Sequence, residues 1–218
     1  GLRRDMRREG ERTPRPRSGW TVRRGRAGQR SNKKRSSIGT PIKGTPGNGF
    51  GVYKLDDDRQ VLVINAMARL FMELNDSPFD AIEKLLDRYR LGDNVQAVIL
   101  DFHGEATSEK MAMGHYLDGR ASLVVGTHTH VPTSDAVRLN KGTGYMTDAG
   151  MCGDYDSVIG MKKEAAIHKF TRKMPGARLE PAEEEGTACA VLLETDDRTG
   201  LAKNIEPVRV GGRLYKTD

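Results

Sequence analysis

Apolar positions in this chain fall into short runs that alternate between continuous blocks and helical spacings. Residues 61–64, VLVI, form an unbroken apolar block that predicts a buried strand. In residues 75–91, NDSPFDAIEKLLDRYRL, Phe79, Ile82, Leu85, Leu86 and Tyr89 recur at helical intervals; Asp76 or Ser77 can cap this helix, and Pro78 suits its first turn. Residues 95–105, VQAVILDFHGE, predict a second buried strand ending at Asp101. Residues 107–120 predict a helix capped by Thr107 or Ser108, with Glu109 or Lys110 in its first turn. ASLVV (121–125) and TGYMTDAG (143–150) predict two more strands, and KKEAAIHKFTRKM (162–174) a further helix. Residues 187–210 read as two strands around the turn DDRTG, a hairpin signal. Residues 39–51, GTPIKGTPGNGFG, read as a loop. Strands alternating with helices imply an α/β domain, with the closing hairpin as its antiparallel edge.

Charge divides the chain in two. Its 36 Lys and Arg against 30 Asp and Glu give a net +6, but residues 1–38 alone hold fourteen basic and three acidic side chains, a net +11, which leaves −5 for residues 39–218. Only Leu2, Met6, Trp20, Val22, Ala27 and Ile38 are apolar in that first segment. So few cannot bury enough surface to offset chain ordering, so residues 1–38 are expected to form a disordered basic arm before a domain at 39–218. The segment lacks the apolar stretch of a signal peptide. No run reaches the 18 to 20 apolar residues of a membrane span, so no membrane partner is expected. Cys152 and Cys189 lie far apart without metal-ligand spacing, which suggests a reducing, cytoplasmic setting. The chain begins with Gly, which suggests a fragment or processed product.

Candidate chemistry gathers where two predicted strands end. One runs into Asp101-Phe102-His103 and the other into Gly126-Thr127-His128-Thr129-His130. In open α/β sheets ligands bind beyond the carboxyl ends of strands. His128 and His130 are two apart, so in an extended segment they point to one side. Neutral imidazole is a common metal ligand, and Gly126 lets the backbone turn or approach closely. His103, His128 and His130 are therefore the candidate metal ligands, and Asp101 can orient His103 from behind. His115 and His168 read as structural or surface residues. Glu105, Glu109, Asp135 and Asp148 lie near in sequence, yet none is placed by spacing as a bridge between two metals.

Several long strings carry a resemblance: GTPGNGFGVY (44–53), VLVINAMARLFM (61–72), DFHGEATSEK (101–110), YLDGRASLVVGTHTHVPTSDA (116–136) and YMTDAGMCGDYDSVIGM (145–161). Together they resemble the YmdB-type bacterial metallophosphoesterases of the calcineurin-like superfamily, in order over about residues 44–209. The resemblance implies an α/β/β/α sandwich and a dinuclear centre of two divalent ions, iron, manganese or similar. It implies a hydrolase, a phosphodiesterase acting on phosphate esters, with 2′,3′-cyclic nucleotides as the substrate class. Metal-bound hydroxide would attack phosphorus in line. It further implies that His103 and His128 serve one metal and His130 the other, and that the protein is a cytoplasmic homo-oligomer.

The chain also departs from that family. The Gly-Asp, Glu-Asn and Gly-Asn-His segments, which supply the family's bridging carboxylate and remaining ligands, are not found, and the arm stands where roughly the first third of the domain would be. The expectation is an N-terminally incomplete domain of impaired activity, its arm the product of a reading-frame shift or gene remnant. No catalytic residue is assigned. Two other readings stay open: non-specific nucleic-acid binding through residues 1–38, and a single-zinc hydrolase using His103, His128 and His130.

Overall fold

A computed structural model of the chain describes residues 49–72, 76–172, 174 and 176–217. The basic arm and most of the loop at 39–51 lie outside the described residues. A strand absent from the sequence reading comes first: β1 (Phe50–Lys54) pairs antiparallel with β2 (Gln60–Met67), from Phe50 opposite Ile64 to Lys54 opposite Gln60. The Gly/Pro content ahead of Phe50 hid a strand that opens on the last two residues of the presumed loop.

In β2, Leu62, Ile64 and Ala66 are buried and alternate with partly exposed residues. Helix α1 (Pro78–Leu86) follows, with Ser77 as its cap: the Ser77 hydroxyl accepts from the Asp80 amide at 3.3 Å. Ile82, Leu85 and Leu86 form its buried stripe.

Strand β3 (Ala97–His103) runs two residues past its expected end at Asp101. His103 is held from both sides, opposite Met67 of β2 and opposite Thr127 of β4 (Leu123–Thr127), so the sheet itself carries the strand to the histidine. Helix α2 (Thr107–Tyr116) lies between them. Its cap is Ala106, not Thr107 or Ser108, with no side-chain cap bond; Ala106 is the last extended residue, so both hydroxyl residues fall inside the first turn.

The main sheet has the order β1-β2-β3-β4-β6-β5, with β5 at Val137–Arg138 and β6 at Gly144–Met146. The four central strands are parallel, and β1 and β5 are antiparallel edges. Leu62, Ile64 and Ala66 of β2 and Val98, Leu100 and Phe102 of β3 pack against Ile82, Leu85 and Leu86 of α1, Met113 of α2 and Leu117, which caps α2. Burying one such side chain is worth about 1.5–3 kcal/mol. The helices thus occupy the face of the even-numbered residues of β2 and β3. Asn65, Asp101, His103 and Thr127, on the other face, are only partly buried.

The closing hairpin is present, but it is not an edge of this sheet. β8 (Gly186–Thr195) and β9 (Ala202–Val210) join β7 (Gly153–Asp154) in a second, three-stranded sheet. The outer side of short β6 pairs with β5. The hairpin meets this sheet through side-chain packing, where a Cβ on Gly144 would sit 2.9 Å from Leu193 and 3.4 Å from Ile205, and through one backbone bond from the Ala202 amide to the Gly142 carbonyl at 2.8 Å. Asp196 Oδ1 accepts from the amides of Arg198 and Thr199 at 3.1 and 2.9 Å and forms the turn. Helix α3 (Lys163–Thr171) ends where Arg172 turns extended, three residues short of the expected Met174.

Candidate metal centre

The carboxyl ends of β3 and β4 lie side by side, and their register decides what meets there. Paired residues share a face, so Thr127 projects on the same side as His103. A strand continued one residue further would send His128 to the opposite face, under α2. It does not continue. The backbone takes positive φ at His128 (125°) and again at His130 (64°), a conformation costing non-glycine residues about 1–3 kcal/mol each. The two histidines are therefore not in an extended segment, and their relation does not come from strand alternation. The turn brings His128 round to His103: His128 Nδ1 lies 3.2 Å from His103 Nε2, with the rings nearly edge to face.

A hydrogen-bond chain fixes which nitrogen of His103 carries its proton. The Thr127 hydroxyl donates to Asp101 Oδ1 at 2.8 Å. Its oxygen must then accept from His103 Nδ1, 3.1 Å away. That leaves the lone pair on Nε2, the atom facing His128. Asp101 orients His103 through Thr127 and not directly, and its second oxygen accepts from Asn65 Nδ2 at 2.9 Å. Thr127 and Asn65 escaped the sequence reading; the pairing of Asp101 with Asn65 and His103 with Thr127 across three strands is what reveals them. Burial first, and then the neighbouring His128 imidazole, hold His103 below the ordinary histidine value; Asp101 opposes this more weakly.

His130 shows the same proton arrangement by another route. Its Nδ1 lies 2.8 Å from the Ile159 carbonyl, which can only accept, so Nε2 again carries the lone pair. On the far side of His128, Nε2 meets Glu105 Oε2 at 2.8 Å.

The other carboxylates are engaged elsewhere. Both Glu109 oxygens accept from the Arg69 amide, at 2.9 and 3.0 Å, and one also from Leu70 at 2.8 Å, which pins the segment leaving β2. Asp135 accepts from the amide and hydroxyl of Thr147. Asp148 and Lys110, each 1% exposed, form a buried ion pair of 3.1 Å. Of the histidines read as structural or surface residues, His115 is exposed and His168 lies on α3, its Nδ1 buried.

These donors can be tested against a metal. Two nitrogens at 2.0–2.1 Å from a tetrahedral ion lie about 3.3 Å apart, close to the observed separation of His103 Nε2 and His128 Nδ1. An imidazole anchored through one nitrogen, with its lone pair presented by the other, is the usual state of a ligand histidine. The pair therefore fits two positions on one ion. A dinuclear centre does not fit so well: among the described residues no group of three or more His, Cys, Asp or Glu side chains is arranged to hold a metal ion, and Glu105, the carboxylate that touches one of the three histidines, contacts His128 alone.

Comparison with known proteins places this geometry in context. The profile of the family described as YmdB-like protein matches residues 38–208. A Bacillus subtilis protein named 2′,3′-cyclic-nucleotide 2′-phosphodiesterase is 42% identical over 168 residues, which cover 77% of this chain and 62% of that protein. The crystal structure of a hypothetical protein from Thermus thermophilus superposes with a TM-score of 0.73 at 40% identity, over 81% of this chain and 67% of that one. That of a novel phosphatase from Mycoplasma pneumoniae gives 0.70 at 28% identity, over 80% and 62%. The chain thus spans 62% of the length of its Bacillus relative.

Proposed function

The chain belongs to the YmdB-like protein family, and from that membership we propose that it is a metal-dependent phosphodiesterase whose substrate class is the 2′,3′-cyclic nucleotides, as the name of its Bacillus relative suggests. The observation that carries the reading is the His103–His128 pair, two imidazole nitrogens 3.2 Å apart at adjacent strand ends. We assign His103, His128 and His130 as metal ligands, with His103 and His128 on one ion. A divalent ion, when bound, offsets the charge of phosphate oxygens and lowers the pKa of water beside it.

This chain's own residues do the positioning. Asp101 and Thr127 hold the His103 ring with its lone pair outward. The Ile159 carbonyl does the same for His130. Glu105 holds the far nitrogen of His128 and is half-exposed, within reach of a ligand entering from solvent. All three ligand candidates are neutral donors, and neutral donors balance the charge of two dications poorly. We therefore expect this chain to hold one ion tightly and a second weakly, and to work below the rate of its Bacillus relative.

The test is turnover of a 2′,3′-cyclic nucleotide and of bis(p-nitrophenyl) phosphate with added manganese, together with metal stoichiometry. One tightly bound ion with slow, manganese-dependent hydrolysis is the expected result. No metal bound at millimolar manganese, or hydrolysis indifferent to chelator, overturns the reading.

A further inference from the structure

We propose that Lys110 and Asp148 are positioning residues for the histidine turn, acting through the backbone amide of Thr129. The functional consequence rests on the metal-ligand reading above; the geometry does not.

Thr129 stands between the two histidines of positive φ, and its amide is tied down by a buried charge. Asp148 Oδ2 accepts from Thr129 N at 2.9 Å and from Lys110 Nζ at 3.1 Å. Asp148 Oδ1 accepts from Gly150 N at 2.9 Å. The Asp148 amide donates to the Thr133 hydroxyl, and Thr133 N donates back to the Asp148 carbonyl, both at 3.0 Å. One aspartate thus ties down the middle and the exit of the turn.

A buried ion pair taken alone adds little to stability, because desolvation of both ions consumes the attraction; an apolar pair of the same volume often does as well. This pair has a third partner, and that partner accounts for it. A carboxylate accepts an amide proton more strongly than a neutral oxygen, and Lys110, 3.1 Å away and equally buried, is the charge partner that offsets the cost of placing the Asp148 carboxylate out of water. The lysine stem reaches it beneath Gly126, where a Cβ would meet Lys110 Cδ at 2.8 Å. The bond at Thr129 opposes the cost of left-handed backbone at His128 and His130, which is what turns His128 toward His103.

The experiment compares two full-length double variants, K110M/D148N and K110M/D148L. Each replaces the ion pair with neutral groups of similar size; only Asn keeps an oxygen that can accept from Thr129. The expected result is that Thr129 amide exchange, followed by NMR, accelerates at least tenfold more in the Leu variant than in the Asn variant. Zinc affinity, by calorimetry, is expected to fall about 10- to 100-fold in the Leu variant, the range for groups that orient ligands, and to be largely rescued in the Asn variant. Equal exchange and equal affinity in the two variants overturn the proposal. If the wild-type protein binds no zinc, the metal reading fails while Thr129 exchange still decides this one. If neither variant folds, exchange in the wild-type protein decides: a Thr129 amide no better protected than the exposed amides of neighbouring turns overturns it.

Discussion

His103 and His128 face each other at 3.2 Å although one ends a strand and the other occupies a turn with φ of 125°. Strand alternation alone would place them on opposite faces of the sheet. Their meeting is a product of the turn, and the turn has its own supports in Thr129, Asp148 and Lys110.

Replacing either imidazole should therefore remove metal binding without unfolding the protein. His103→Ala and His128→Ala are each expected to weaken zinc affinity by more than about 100-fold, beyond the range of residues that only orient ligands. Calorimetric titration of the purified variants checks this. Wild-type affinity in both would show that the pair is not a ligand pair.

Thr127→Val tests the orienting chain. Valine keeps the shape of threonine and loses the hydroxyl that accepts from His103 Nδ1 and donates to Asp101. The His103 ring then loses its preferred tautomer, and zinc affinity should fall about 10- to 100-fold. An unchanged dissociation constant would show that sheet packing alone orients the ring.

Stability should depend on pH through His103. The folded protein holds this imidazole below the ordinary value near 6.5, chiefly by burial. The unfolded chain therefore takes up the proton first as pH falls. The contribution of neutral His103 is complete above about 6.5 and is lost as pH drops through the folded value. Urea midpoints at pH 7.5 and pH 5 should fall further apart in the wild type than in His103→Gln. Identical pH dependence in the two proteins would remove His103 as a source.

Gly126→Ala should be severe. A Cβ there would lie 1.7 Å from the Thr147 carbonyl oxygen, and backbone cannot swing aside as a side chain can. The expected loss is about 3 kcal/mol or more, at the upper end of overpacking effects, read from urea unfolding. A loss below about 1 kcal/mol would mean that β4 and the 147 segment separate readily.

Hydrophobic pattern alone determined much of the fold. The apolar block at 61–64, the helical spacing from Phe79 to Tyr89 and the DDRTG turn each yielded the element they predict, because local burial and turn chemistry decide such elements. That His103 and His128 lie near the carboxyl ends of two strands was legible too, because the apolar runs 97–100 and 123–125 each lead into a histidine segment. Tertiary structure decided the rest. The extension of β3 to His103 came from pairing on both sides, and the hairpin's place in a second sheet from its pairing with β7. Lys110 looked like any first-turn residue of α2, and Asp148 like one of several nearby carboxylates; only folding places them together beneath Gly126. The sense in which His128 turns depends on one backbone angle, next to the Thr129 amide, which donates a hydrogen bond to Asp148, nineteen positions away. Periodicity records which face of an element is buried, not the hydrogen bonds that bend the chain where the element ends.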